Sequence, residues 1–348
     1  MAYALARGEG IADGMRRIVG EQIDAIVAGL TDEAVDRDTA VHDARKRFKR
    51  LRAALRLVRD ALDADVYRRE NMCYRDAARL LAGARDSAVL IAVLDGLTAA
   101  YADELAAADA AGIRAGLVAR YEAVQQAAFA QGDVVPRVLE TLAAARERAA
   151  ALPIAADDFA ALAPGLARVY RRGRQRMRAI GAGAGTAAQF HDWRKRVKYL
   201  WHQVEILQES WPPVLRPWGD ELHRLADVLG DEHDLTVLAE TVRADEARFG
   251  GEAARPALLA LVARRRAELQ AAARPLGARL YAEKPRQFVA RQAAYWAAWQ
   301  MPHGEADVAA DTAVPLAARL LTTREAADRL GVTVRDVRQR LRDGRLAG

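Results

Sequence analysis

His42, Arg45, Lys46 and Lys49 stand at positions i, i+3, i+4 and i+7 of the stretch VHDARKRFKRLRAALRLV, which runs from Val41 to Val58. On a helix turning about 100° per residue, that spacing gathers all four on one side. Arg52 and Arg56 extend the same side, and Val41, Ala44, Phe48, Leu51, Leu55 and Val58 fall roughly opposite. The pattern occurs again in FHDWRKRVKYLWHQVEIL, Phe190 to Leu207, where His191, Arg194, Lys195 and Lys198 oppose Phe190, Trp193, Val197, Leu200, Val204 and Leu207. Between Val41–Leu51 and Phe190–Leu200, seven of eleven positions are identical, and both apolar faces are kept. Such residues suit one chemistry, the binding of a polyanion. Arg grips a phosphate through two parallel hydrogen bonds, and Lys adds a compact charge.

A charge-rich helix face is often merely solvated, and that is the reading to weigh against a site. Like charges at i to i+4 repel by about 0.2–0.5 kcal/mol per pair. A solvated face gains nothing from keeping the same cations at the same helical positions twice. An anion between the helices offsets the repulsion, because each charge-assisted contact contributes about 1.5–3 kcal/mol. Single-stranded nucleic acid usually requires aromatic platforms. Phe48, Trp193 and Trp201 lie on or near the apolar faces, so a linear polyanion without bases is the better match. His42 and His191 read as neutral histidines, each donating a hydrogen bond at the mouth of the site. As metal ligands they would have Arg and Lys one turn on, which repel a cation. As phosphoryl acceptors they lack an orienting carboxylate at one-turn spacing. No metal, no cofactor and no catalytic residue is assigned.

The elements that must position these faces are helical. Ala, Leu and Arg dominate, Val and Ile are sparse and aromatics make up 6% of the 348 residues. Lys+Arg number 53 and Asp+Glu 47, a net charge of +6, so basic character matters through clustering. Eight basic and no acidic residues lie between Arg45 and Arg59, and six basic and no acidic between Arg168 and Arg178. Ile11 to Leu30 reads as an amphipathic helix showing Arg16 and Arg17, and GLARVYRRGRQRMRAI plays the same role with Arg171 and Arg172. Asp36, Asp38 or Thr39 is expected to cap the first basic helix, and Thr186 with Gln189 to form a capping box for the second. Two helices hinged near Gly83 should follow Leu62, with later interruptions at Gly112 and at 131–136. WPPVLRPW, Trp211 to Trp218, reads as a turn, since proline blocks helix continuation. LGDEHDLTVL parallels LAGARDSAVL, setting His233 beside Arg85, so two elements repeat in order and a tandem duplication is expected.

The resulting expectation is an all-α chain of two antiparallel helical bundles, residues 1–155 and 156–300, related by a pseudo-twofold axis. A polar, acidic linker at 301–320 and a tail at 321–348 complete it. Cys73, the single cysteine, favours a reducing compartment. With no apolar run of membrane-spanning length and no readable leader, a soluble cytoplasmic protein is expected.

The doubled His, Arg, Lys, Lys stripe, with the LAGARDSAVL and LGDEHDLTVL helices, resembles the CHAD family, the conserved histidine α-helical domain, over about residues 10–300. That resemblance implies an all-helical domain whose basic residues line a central channel for inorganic polyphosphate, with no catalysis required. It assigns His42, Arg45, Lys46, Lys49, His191, Arg194, Lys195 and Lys198 to the channel, and Arg52, Arg56, Arg16, Arg17, Arg171, Arg172 and Arg85 are added as further contacts. Association with polyphosphate granules is an additional expectation. The last residues, LTTREAADRLGVTVRDVRQRLRDGRL, resemble the helix-turn-helix of excisionase and MerR-like proteins, which would set Arg335, Arg338, Gln339 and Arg342 against DNA. The rival readings are therefore a DNA-binding regulator acting through that tail and a phosphohydrolase or phosphotransferase acting on polyphosphate.

Overall fold

The apolar stripe of each amphipathic segment must be covered, and eleven helices among the described residues do so with no strand. The computed structural model describes residues 3–81, 83–104, 107–130, 134–181, 185–245, 248–249 and 254–301; side chains at 83–87, 107–109, 125 and 127–130 are outside that description. The helices are α1 (Ile11–Thr31), α2 (Arg37–Leu57), α3 (Ala64–Leu80), α4 (Gly83–Ala100), α5 (Ala107–Ala130) and α6 (Val135–Ala150). They continue as α7 (Ala163–Ile180), α8 (Ala187–Leu207), α9 (Pro212–Ala244), α10 (Ala254–Leu280) and α11 (Pro285–Gln300). Met1–Gln300 forms one compact unit. Apart from Met301, the expected linker and the helix-turn-helix-like tail, with Arg335, Arg338, Gln339 and Arg342, lie outside the described residues.

The expected boundary at 155/156 is not a break in the packing. Ile11, Ile18, Phe48 and Leu142 share one continuous core with Leu162, Leu166, Trp193 and Leu200. A second, smaller core lies under α4 and α5, built from Leu90, Leu94, Ile113 and Leu117 against Leu238, Val242, Leu258 and Val262. α9, about 50 Å long, joins the two, with Leu222, Leu225 and Leu229 in the first and Leu235, Leu238 and Val242 in the second. Buried carboxylates clamp neighbouring helices. Glu70 of α3 accepts from Arg148 of α6 at 2.7 Å, and Glu232 of α9 accepts from Arg266 and Gln270 of α10 at 2.7 and 2.9 Å.

Two local expectations are corrected. The segment after Trp211 is not a turn through to Trp218, because α9 begins at Pro212. Pro212 and Pro213 occupy the first turn, where backbone amides have no intrahelical acceptor and a missing N–H costs nothing; Pro217 is carried inside the helix. Gly112 does not interrupt α5, which runs through it. A single glycine weakens a helix by about 1 kcal/mol, too little to end it.

Candidate anion-binding site

Two capped helices fix the directions of the basic stripes. Asp36 accepts from the Thr39 amide at 3.0 Å to start α2, and Thr186 and Gln189 form a reciprocal capping box at the start of α8. Ala44, Phe48, Leu51 and Leu55 on α2, and Phe190, Trp193, Val197 and Leu200 on α8, are sealed in the core. With those faces committed, the opposite faces and their cations must point outward from the core. The C-terminal end of α2 is held by α7, where Gly165 lies directly against the carbonyls of Arg56 and Leu57.

α2 and α8 pack on each other, and the contacts give their direction. Arg50 donates to Glu205 at 3.0 Å, Gln203 donates to the Ala53 carbonyl at 3.3 Å, and the Arg56 guanidinium covers the Tyr199 ring at 4.2 Å. Residue numbers rise on one helix as they fall on the other, so the pair is antiparallel. At 1.5 Å rise per residue, His42 and His191 then stand about 30 Å apart, at opposite ends of the pair.

Between them lies a cavity of about 550 Å³. α2 contributes Arg45, Lys49, Arg52 and Arg56; α8 contributes Arg194, Lys195, Arg196 and Lys198; α3 adds Arg75 and Arg79. Ten of the fourteen lining residues are thus Arg or Lys, none is acidic, and Phe48, Ala78, Tyr199 and His202 complete the wall. Burial within this wall shows in the protonation of its members. Burial first, and then Arg194 and Lys49, bring Lys198 down to about 8. Burial also lowers Arg52 and Arg194, the latter against the opposing charges of Asp234, Asp231 and Asp227 on α9. Arg194 keeps a buried Nε without a hydrogen-bond partner. A buried, unmatched donor on a cation favours an anion that can accept from it.

The structure therefore brings Arg45, Lys49, Arg52, Arg56, Arg194, Lys195 and Lys198 to one cavity, but not all of the expected set. His42, Lys46 and His191 do not line it; the two histidines sit toward opposite outer ends of the antiparallel pair. The His191 ring lies against His233 at a centroid distance of 4.2 Å. Burial depresses both histidines, then Lys195 and Arg194 for His191; His233 reaches about 4. Arg16 and Arg17 lie outside the cavity lining. Arg16 donates to the Leu152 carbonyl and Asp13, and Arg17 to Glu9, Glu21 and the Ala4 carbonyl, so they tie down the N-terminal segment and α1. Arg171 and Arg172 are exposed on α7 outside the cavity lining, with Arg196, Arg168 and Arg59 acting electrostatically on Arg172. The Arg85 side chain lies outside the described residues.

Sequence reasoning missed Arg75, Arg79, Arg196, Tyr199 and His202. Tyr199 does place an aromatic in the basic wall, contrary to expectation, but Arg56 already covers it. One signal was available. Only five lysines occur in the chain, and four of them, Lys46, Lys49, Lys195 and Lys198, fall in the two stripes. In a chain that otherwise uses Arg for positive charge, that is a local preference for compact, mobile cations. Among the described residues no group of three or more His, Cys, Asp or Glu is disposed to hold a metal, and no helix is long and apolar enough to cross a membrane.

Comparison with known proteins places the fold. No curated protein matches the chain. The structure of PptA from Streptomyces chartreusis superposes with a TM-score of 0.60 at 18% identity, covering 79% of this chain and 100% of that one. The crystal structure of the CHAD domain from the plant Ricinus communis gives 0.57 at 21% identity, over 80% of this chain and 94% of that one. The CHAD domain family model matches residues 17–243, well over half of the sequence and including both stripes, and the chain belongs to that family.

Proposed function

We propose that this protein binds inorganic polyphosphate in the cavity between α2, α3 and α8, holds it without cleaving it, and does so in the cytoplasm at polyphosphate granules. The observation that carries the reading is the cavity wall: ten Arg and Lys side chains from three helices face one space, with no carboxylate among them. A linear chain of phosphates carries charge at each unit and no base to stack; of the Phe and Tyr rings in that wall, Phe48 is sealed in the core and Tyr199 is covered by Arg56. The CHAD resemblance of the stripes supports the same ligand.

The reading predicts tight binding of long-chain polyphosphate and much weaker binding of single-stranded DNA of equal charge, measured by competition at one salt concentration. DNA binding as tightly as polyphosphate contradicts it and favours the nucleic-acid reading. Incubation with polyphosphate and a divalent cation should release no phosphate, and steady release returns the phosphohydrolase reading.

A further inference from the structure

His202 follows Lys198 by one helical turn on α8, and neither basic stripe includes it. Its ring is only 2% exposed, yet it lines the basic cavity. Nδ1 lies 2.6 Å from Oε2 of Glu205, and the other carboxylate oxygen accepts from Arg50 at 3.0 Å. Trp201 covers one face of the ring at 4.4 Å between centroids, and Tyr3 meets it edge-on at 6.3 Å. A carboxylate accepting at Nδ1 keeps the ring proton there and leaves the lone pair on Nε2. Nε2 has no hydrogen-bond partner among the described residues and is not one of the sealed polar atoms. The open space that this residue borders is the cavity.

We propose that His202 is a phosphate-contacting residue of this cavity: a linear polyphosphate seated along α2 and α8 sets a phosphoryl oxygen at Nε2, which takes a proton from solvent and donates it to that oxygen. The proposal rests on the polyphosphate reading and adds a contact on the cavity wall and a proton that binds with the ligand.

The surrounding charges give the sign. Burial holds the His202 ring below its ordinary value, Glu205 opposes this, and Arg50 and Lys198 add to it. The groups facing the ring are Glu205 and Lys198 on α8, Arg50 on α2 and Tyr3 before α1. His223 of α9 reaches it only through the Trp201 ring, stacked at 4.0 Å. In the free protein the imidazole is therefore neutral at pH 7. A bound polyanion cancels the field of Arg50 and Lys198 and supplies an acceptor, so the complex holds the proton more tightly than the free protein. By linkage, affinity rises as pH falls. His42 and His191 are not placed for this contact, since neither lines the cavity.

The test is calorimetric titration of the full chain with long-chain polyphosphate at pH 7 in buffers of different ionisation enthalpy, which counts protons taken up. Wild type is compared with His202→Gln, His191→Gln and Lys198→Arg. The expected result is a loss of about one proton of uptake per site in His202→Gln, retained in the other two. Uptake in His202→Gln equal to wild type, or lost in His191→Gln instead, overturns the proposal. Because His202 is buried, its nitrogens are also followed in ¹⁵N-histidine-labelled wild type. On adding polyphosphate, the Nε2 resonance should move from the unprotonated to the protonated range, and an unmoved resonance likewise overturns it. Wild type that binds polyphosphate without this proton defeats only the His202 assignment; failure to bind at all defeats the functional reading beneath it.

Discussion

Lys198 is a cavity cation whose charge is held loosely, since burial and the neighbouring Arg194 and Lys49 bring it to about 8. Its free-protein value lies below that of an ordinary lysine, and a bound polyanion raises it. Affinity for polyphosphate should thus fall as pH rises from 7 to 9, and Lys198→Arg, which does not titrate there, should flatten that slope. A slope unchanged in Lys198→Arg assigns the effect to another group. At this scale the stripes were legible because helical spacing sorts cations from apolar residues without reference to any neighbour. Arg75 and Arg79 were not, because Glu70 and Asp76 share their helix and only packing shows which side meets α2. Arg16 and Arg17 pair with Asp13 and Glu21, which stand one turn away in the sequence, the spacing at which ion pairs form, so those partners could be read from it.

The cavity keeps its shape because α2 and α8 are held in register by what lies behind them. Gly165 of α7 is the tightest point: a Cβ there would run into the backbone carbonyls of Arg56 and Leu57, which have no freedom to move aside. Gly165→Ala is expected to destabilise the fold by about 1–3 kcal/mol and to weaken ligand binding through Arg56, seen as a lower urea midpoint and a higher Kd. Trp193→Ala, emptying a fully buried site on the inner face of α8, should cost about 3–5 kcal/mol. Normal stability in either variant contradicts the packing described for α7 and α8. The caps at Asp36 and Thr186 could be read from sequence, being local chemistry of side-chain oxygens and nearby amides. The prolines at the start of α9 misled, because proline forbids helix continuation but suits a helix's first turn, and only the location of that turn separates the two.

Across the molecule, the two sequence halves contribute jointly to both cores instead of owning one each, and periodicity could not reveal that: it identifies the face a helix buries but not the helix that covers it. Three buried or half-buried histidines give the whole fold a pH dependence. His191, His202 and His233 are all depressed, His233 to about 4. Between about 6.5 and 4 the unfolded chain binds more protons than the folded one, so stability is present above that window and lost as pH falls through it. A thermal midpoint lower at pH 5 than at pH 7 is expected without ligand; an equal or higher midpoint contradicts the buried, neutral assignment. If most of the ten cavity cations meet phosphate, affinity should fall roughly a thousandfold between 50 and 200 mM salt. The most direct test of the central claim titrates long-chain polyphosphate against wild type, Lys49→Glu with Lys195→Glu, and a control of equal charge change, Arg279→Glu with Arg286→Glu, whose positions are exposed and outside the cavity. Losing two charge-assisted contacts of about 1.5 kcal/mol or more each predicts at least a roughly hundredfold weaker Kd for the cavity pair and a much smaller change for the control. Equal weakening of the two variants, or none in either, would contradict the cavity as the binding site.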